Sequence, residues 1–386
     1  MSQQSFWNRI AAEHSHTRRE FLRAACGSAA GAAVSSVLPQ RAWAAASSKR
    51  KVIVVTFGGG ARDQETFAPE GQENIPRLLG ELLPQGTFFT QVINRGILGH
   101  YVATASLATG VYERFNNFAD VSPANPTIFE YFRKEKARPV TDAWVVAPSN
   151  GFNRIGQSSH ALYGGQGATV VLPKRMLAGA DGFPAFQGLD HLLTDNYESP
   201  LQGPVRLSQE LPPQRIVAML NLSLKDFAAH ARTLSSPDEL SLYVAQRIMQ
   251  ETAPSLLWLT LHDIDVAHTG AFSLYVDAIR RSDRICADLW QMIQSNPEYK
   301  DRTSLLILPD FGRDSDQDAG GNGFQHHRTG DALSRTTWML ALGPDIRQNT
   351  IVDRALESID LVPTVASILG CDAPAAKGRV ITELGL

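Results

Sequence analysis

The sequence predicts an α/β fold with three layers, in which helices cover both faces of a mostly parallel central sheet. Five short apolar runs have the continuous hydrophobicity of strands that are buried on both faces. Helical patterns alternate with these runs, and such alternation is typical of parallel sheets. Three of the runs end directly in glycine, histidine or aspartate. Ligands bind at the carboxyl ends of such strands, so we expect a functional site there.

The predicted elements follow one another from residue 51 to the C-terminus. Strands are predicted over residues 51–57, 86–92, 255–261, 303–309 and 336–342, and helices over residues 75–83, 101–108 and 274–293. Residues 149–167 are rich in Gly, Ser, Asn and Gln, which predicts a long surface excursion. The wider range 149–202 is predicted to be an insertion that could cap the site.

The first 44 residues have the order of a twin-arginine export signal. The pair Arg18–Arg19 is followed by Phe-Leu, by an apolar run over residues 24–38, and by the cleavage pattern Ala-Trp-Ala at residues 42–44. The apolar run is too short and too rich in small residues to form a stable membrane anchor. We therefore predict a signal peptide over residues 1–44, recognition by the bacterial twin-arginine machinery, and one periplasmic or secreted domain over residues 45–386.

Composition bounds the partners of this domain. Removal of the signal leaves 31 basic and 37 acidic residues, and no basic stripe stands out, which argues against nucleic acid as a partner. Cys286 and Cys371 are the cysteines that remain. They could pair in an oxidising compartment, but burial as two small apolar side chains is the preferred interpretation.

Histidine and aspartate concentrate at the predicted strand ends. In the segment His262–His268, with the sequence HDIDVAH, imidazoles and carboxylates alternate. A glycine-rich loop ends in His326 and His327, and Asp310 follows the strand 303–309. Two imidazoles and a carboxylate are a ligand set for zinc or a similar divalent ion. The pattern therefore predicts a metal site at this edge of the sheet.

The order of these segments resembles the alkaline phosphatase superfamily, which includes sulfatases, nucleotide pyrophosphatases and cofactor-independent phosphoglycerate mutases. The similarity covers most of the domain. It rests on residues 100–110 (HYVATASLATG), 263–270 (DIDVAHTG), 305–313 (LLILPDFGR), 326–327 (HH) and 358–370 (SIDLVPTVASILG). It implies an alkaline-phosphatase-like fold with divalent metal ions near the carboxyl ends of the strands.

The resemblance also implies which ligands remain. One metal site is retained as Asp263 or Asp265 with His268 and His327, and His326 is the neighbouring candidate. The other site keeps only Asp310, with His100 as a helper.

Three positions depart from the pattern of the superfamily. Gly58 stands where the first metal aspartate is expected, and Phe311 replaces a metal histidine. His100 takes the position of the nucleophile, so a sulfatase with a modified cysteine is excluded.

The resemblance implies a metal-dependent hydrolase that acts on a phosphate ester, a sulfate ester or a related small anion. Its expected metal is zinc, with manganese, iron, magnesium or calcium as alternatives. Either water at the metal or His100 would be the nucleophile, and Arg62 or Arg313 would neutralise the transferred group. The alternative is a non-catalytic binding or structural protein on the same fold. A mutase or transferase is a third interpretation.

Overall fold

The structure is a computed structural model that describes residues 50–193, 211–316 and 320–385. The predicted signal peptide lies outside the described residues, so its role in export stays a prediction. None of the helices in the described ranges is long and apolar enough to cross a membrane.

Nine strands of the described chain form one mixed sheet. They are β1 (Lys51–Thr56), β2 (Gly86–Ile93), β3 (Ala143–Val146), β4 (Thr169–Val171), β5 (Leu256–Thr260), β6 (Thr303–Leu308), β7 (Thr336–Leu342), β8 (Thr350–Val352) and β9 (Leu356–Glu357). Their order in space is β4-β3-β5-β1-β6-β7-β2-β8, and β9 pairs with β2. Neighbours are parallel except at β7, which is antiparallel to β6 and β2. The predicted mostly parallel sheet is confirmed.

The direction of β7 follows from the connection that precedes it. The chain between β6 and β7 stays at the carboxyl edge of the sheet, and its described part lacks the crossover helix that a parallel return requires. β7 therefore enters from that edge and runs in the opposite direction. The same connection carries Asp310 and His327, so this topology keeps both residues beside the other strand ends.

Helices cover both faces of the sheet, as the sequence predicts. The helices are α1 (His100–Thr109), α2 (Ile128–Glu135), α3 (Asp190–Leu193), α4 (Pro213–Met219), α5 (Leu224–Ala231), α6 (Pro237–Glu251), α7 (Phe272–Ser295), α8 (Ala332–Arg335) and α9 (Leu361–Leu369). Ile53 and Val55 of β1 belong to the apolar layer that contains α6 and α7. Val52 and Val54 belong to the opposite layer, which contains α1, α2 and α9. The alternation along β1 therefore feeds two separate apolar layers.

The predicted helix over residues 75–83 takes a different form. Leu78–Leu82 form a π-helix, and Leu83–Gln85 form a 3₁₀ turn. The Asp283 carboxylate accepts the backbone N–H groups of Arg77 and Leu78, which an α-helix would leave without partners at its start. Pro84 follows directly and cannot donate to a continuing helix.

The range predicted as an insertion, residues 149–202, contributes to the sheet in its described part. β4 lies within it and pairs with β3 at one edge. Phe152, inside the predicted surface excursion, is buried and packs edge-on against Tyr101 of α1. The excursion is therefore attached to the apolar layer of α1. Whether the range caps the site stays a prediction.

Cys286 and Cys371 are both free and both buried. Cys286 lies in the layer of α6 and α7, and Cys371 lies in the layer of α1 and α9 on the other face. The sheet separates them, so the preferred interpretation as two small apolar side chains is confirmed.

Candidate metal centre

Four segments meet at the carboxyl edge of the sheet and form one polar cluster. The loop after β5 supplies His262, Asp265 and His268, the end of β6 supplies Asp310, and the loop before β7 supplies His327. His100, the first residue of α1, lies between the two aspartates. The cluster has two halves that share Asp265. We call them the open half (Asp265, His268 and His327) and the closed half (Asp265, His100, Asp310 and Arg313).

The loop after β5 is a 3₁₀ helix over Asp263–Thr269, and this geometry selects the ligands. A 3₁₀ helix has three residues per turn, so side chains three positions apart point the same way. Asp265 and His268 therefore face the cluster together, as does His262 just before the helix. The Asp265 Oδ1 atom lies 3.1 Å from the His268 Nε2 atom. Of the two candidate aspartates, the structure brings Asp265 into the cluster.

The open half presents two imidazole nitrogens to each other. The Nε2 atoms of His268 and His327 are 2.8 Å apart. The His327 Nδ1 atom lies 3.0 Å from the backbone oxygen of Leu98. Since a carbonyl oxygen only accepts, Nδ1 donates its proton there, and Nε2 keeps a lone pair that points into the cluster. Burial and the nearby positive charge of His100 hold the pKa of His327 well below its usual value, which keeps the ring neutral.

The donor atoms of the open half fit a divalent metal ion. One oxygen of Asp265 and the two Nε2 atoms lie within 4.8 Å of one another. Tetrahedral ligands at 2.0–2.1 Å from zinc are about 3.3 Å apart, so separations of 2.8 and 3.1 Å need only a small outward movement. The bond from His327 to Leu98 is the kind of outer contact that fixes the tautomer of a metal-binding histidine. Asp265, His268 and His327 would hold the ion.

The closed half has the opposite protonation pattern. The His100 Nδ1 atom lies 2.6 Å from Asp310 Oδ2, and its Nε2 atom lies 3.0 Å from Asp265 Oδ1. Both partners are carboxylates, so both ring nitrogens donate and the ring is an imidazolium. Burial alone would lower the pKa of His100, but the two carboxylates outweigh it and raise the pKa to about 10. A ring without a lone pair cannot attack, so this geometry does not support His100 as a nucleophile.

Arg313 is the second cation of the closed half. Its guanidinium, fully buried, donates to Asp265 Oδ1 at 2.8 Å. It also donates to the backbone oxygens of Gly59 and Gly60 after β1, to Phe324 in the loop before His327, and to Ile264. Arg313 thus connects the loop after β5 with the loop after β1 and the loop before His327. Burial alone would raise the pKa of Asp265, but the positive charge and hydrogen bond of His100, with contacts from His268 and His262, hold it well below its usual range.

A third imidazole, His262, lines the cluster beside Asp265. Its Nε2 atom lies 3.5 Å from Asp265 Oδ2, and its ring lies edge-on to His100. The backbone N–H of His262 donates to the buried carboxylate of Asp238 at the start of α6. The sequence pattern places His262 in the segment, but the ligand set that the resemblance implies omits it. The three-residue spacing H-x-x-D-x-x-H was the signal that pointed to it.

Three predicted site residues lie outside the cluster. Asp263 is on the other side of the 3₁₀ helix, where Arg281 donates to it at 3.0 Å and Asp238 lies close by. Burial raises the pKa of Asp263. Its candidacy as a ligand is not supported, because the turn directs it away from the imidazoles.

His326 lies beside His327 in extended backbone, with φ −129° and ψ 156°. Successive side chains in extended backbone point to opposite sides, so only one of the two can face the cluster. Among the described residues, two groups could hold a metal ion: Asp265 with His268 and His327, and Asp265 with His100 and His262. His326 belongs to neither group.

Arg62 is engaged in ion pairs away from the cluster. Its guanidinium makes a two-point contact with Glu65, at 2.9 and 2.5 Å, and a 2.5 Å contact with Asp316. Glu65 and Asp316 occupy the donors of this guanidinium. The geometry therefore does not support the predicted role of Arg62 in binding a transferred group. The arginine at the cluster is Arg313, the alternative that the sequence left open.

The start of α1 is also covered. The Asn117 side-chain oxygen accepts the backbone N–H groups of Tyr101 and Val102 at 3.0 and 3.3 Å. Free N–H groups at a helix start attract anions, but a side-chain oxygen satisfies these two.

The fold of this chain is similar to that of several solved structures. The lipoteichoic acid synthase LtaP from Listeria monocytogenes superposes with a TM-score of 0.54 at 12% identity, covering 90% of this chain and 78% of that chain. The phosphonate monoester hydrolase SpPMH from Silicibacter pomeroyi gives 0.52 at 13% identity, covering 88% and 77%. Alkaline phosphatase PafA gives 0.53 at 11% identity, covering 90% and 99%.

These proteins are members of the alkaline phosphatase superfamily, and the chain has their fold. The fold expected from the sequence motifs is therefore confirmed. No protein-family model matches the sequence, and no curated protein matches it either. At such low identities the similarity concerns the fold, and function must be argued from the cluster.

Proposed function

We propose that this chain is an exported hydrolase that holds one divalent metal ion at Asp265, His268 and His327. Zinc is the preferred metal, because two imidazoles and one carboxylate suit it better than they suit magnesium or calcium. The observation that carries the proposal is the bond from His327 Nδ1 to the Leu98 carbonyl. It orients a neutral imidazole with its lone pair toward His268 and Asp265.

The charge of the cluster favours an anionic substrate. His100 and Arg313 are two fixed cations, and Asp265 and Asp310 are two anions, so the four side chains sum to zero. A dication added beside them makes a positive centre, which attracts a phosphate ester, a sulfate ester or a related anion. When bound, the metal ion would polarise an oxygen of that anion and lower the pKa of a water molecule.

The names of the structural neighbours agree with this substrate class. They include a phosphonate monoester hydrolase, an alkaline phosphatase and a putative sulfatase from Bacteroides thetaiotaomicron, whose TM-score is 0.52 at 12% identity. Their chemistry enters here as support for the proposal and not as a property of this chain.

A non-catalytic binding or structural role is the second candidate. It is favoured by the charge state of His100, which stands at the position of the nucleophile but has both nitrogens bound to carboxylates. Arg62 is likewise paired with acidic residues. Under this interpretation the open half binds a metal ion that stabilises the fold without turnover.

Export is part of the proposal and rests on the order of motifs in residues 1–44. The twin-arginine machinery would deliver the chain to the periplasm or the medium. A change of Arg18 and Arg19 to lysine should retain the chain in the cytoplasm. Cell fractionation with a Sec-exported marker as the control tests this, and unchanged export would overturn it.

Metal content and turnover test the catalytic proposal. Elemental mass spectrometry of the purified protein should give about one zinc ion per chain, and His327→Ala should lose it. His326→Ala is the matched control and should keep the ion. Aryl phosphate monoesters, aryl phosphate diesters and aryl sulfates are then assayed with both variants. Turnover that is lost in His327→Ala supports a hydrolase, metal without turnover supports the second candidate, and absence of metal contradicts both.

A further inference from the structure

The closed half contains two buried carboxylates that share one partner. Asp265 and Asp310 lie at the ends of different strands and are 6% and 2% exposed. Buried charges are stable only when they are paired or bind a metal ion. Two carboxylates that converge in this way are a common means of holding a divalent cation. The question is what balances their charge in this chain.

Protein side chains supply the balancing charges. The ring of His100 spans the gap, with Nδ1 at 2.6 Å from Asp310 and Nε2 at 3.0 Å from Asp265. Arg313 contacts the same Asp265 oxygen at 2.8 Å. Two cations therefore face two anions, and each cation is held by at least two acceptors. A metal ion between the carboxylates would have to displace the ring.

Two features of the surroundings disfavour a metal ion between Asp265 and Asp310. Phe311 stacks on the His100 ring, with centroids 4.5 Å apart, so an apolar ring covers one face of the gap. Gly58 lies at the end of β1 with φ +47°, and a Cβ atom there would come within 2.7 Å of Ile264 and Ser282. A carboxylate supplied from this strand end would need a strained backbone conformation and a shift of the Ile264 and Ser282 side chains.

We infer that His100 and Arg313 form a built-in cationic centre that occupies the place of a second metal ion between Asp265 and Asp310, so that the cluster accepts one divalent cation at most. This inference deepens the proposed function and rests on the same cluster. It concerns the closed half, however, and it can be tested whether or not the open half binds metal.

The test replaces the built-in cation by an anion. In His100→Asp, three carboxylates converge and repel one another unless a cation joins them. Without divalent ions the melting temperature should fall by roughly 5 °C or more, since a charge left unpaired in the interior is costly. Added Mn²⁺ or Mg²⁺ should restore at least about half of the loss, as expected when an ion binds only the folded state. The melting curves are recorded on the full chain with and without EDTA.

His100→Gln is the matched control. It removes the positive charge and adds no negative one, so its melting temperature should also fall, but Mn²⁺ and Mg²⁺ should restore much less of the loss than in His100→Asp, because only two carboxylates then converge. Both variants are also made in a His327→Ala background, which removes the open-half site. The cation response of His100→Asp should persist there.

Two results would overturn the inference. One is an equal cation response in His100→Asp and His100→Gln, and the other is a wild-type protein that binds two divalent ions per chain by elemental analysis. The second measurement needs no variant, so it remains decisive if His100→Asp does not fold. A wild-type protein that binds no metal ion in the open half would contradict the proposed function and leave this inference intact.

Discussion

The open and closed halves of the cluster both combine histidine with aspartate, yet His327 and His100 are in opposite protonation states. In the open half, the Nδ1 atom of His327 faces the backbone carbonyl of Leu98. In the closed half, the Nδ1 atom of His100 faces the carboxylate of Asp310. The carbonyl fixes a neutral ring with an available lone pair, and the carboxylate fixes a cation. The partner behind each ring therefore decides whether it can bind a metal ion or takes the place of one.

The largest expected effect on stability comes from removing the guanidinium of Arg313. Arg313→Met leaves Asp265 without its closest donor and leaves four backbone oxygens without theirs. The free energy of unfolding should fall by about 3–5 kcal/mol or more, measured by guanidinium titration. Arg95→Met is the control, since Arg95 is exposed and its partner Glu357 is half-buried, and its cost should stay below about 1 kcal/mol. Equal losses of unfolding free energy in the two variants would show that Arg313 does not stabilise the cluster.

Alkaline pH should weaken the closed half. The pKa of His100 is raised to about 10 in the folded state, so its contribution is fully present below pH 6.5. It is lost as the pH rises from 6.5 through 10. In metal-free protein the loss should be on the order of a few kcal/mol, because one pKa unit corresponds to about 1.4 kcal/mol.

The comparison with His100→Gln isolates this contribution. The variant should be less stable at pH 6.5, and its stability should change little up to pH 10. Chemical denaturation at several pH values measures both proteins. Parallel pH profiles would mean that His100 is neutral in the folded state.

The identity of the aspartate ligand separates the open half from its surroundings. Asp265→Asn should weaken zinc binding at least about 100-fold, as measured by competition with a chelating dye. Asp263→Asn should weaken it less than about tenfold, because Asp263 pairs with Arg281 outside the cluster. A reversed order would show that the 3₁₀ turn does not select the ligand.

The smallest effect is expected at the start of α1. Asn117→Ala removes the side-chain oxygen that accepts two N–H groups beside His100, and the cost should be about 1 kcal/mol. Zinc content should not change. Thermal unfolding and elemental analysis together check this, and a loss of metal would show that the two halves depend on each other through α1.

The sequence predicts the longer strands of the sheet well and misses the short ones, including β3, which is buried inside the sheet. β1, β5, β6 and β7 are long apolar runs, and their observed bounds differ from the predicted ones by at most one residue at either end. β4, β8 and β9 have three residues or fewer. Such short edge strands have no periodicity that a pattern could reveal, because they are defined by pairing with distant neighbours.

The site was predicted as a set of residues but not as a geometry. The convergence of His100, His268 and Asp310 follows from their positions near strand ends. The choice of Asp265 over Asp263 depends on the three residues per turn of the 3₁₀ helix, which place Asp265, and not Asp263, on the same side as His268. The pairing of Arg62 with Glu65 and Asp316 could not be predicted, because it depends on where a distant loop returns.

The position of β1 at the middle of the sheet has a consequence for synthesis of the chain. β1 is made first, but its two neighbours are β5 and β6, and β6 begins only at Thr303. A ribosome that adds about 5–20 residues per second needs more than about ten seconds to reach that point. Until β5 and β6 are made, this buried strand lacks its neighbours, and a nascent chain that stops short of β6 cannot close its core. We expect this segment to be exposed to aggregation until the last quarter of the chain is made.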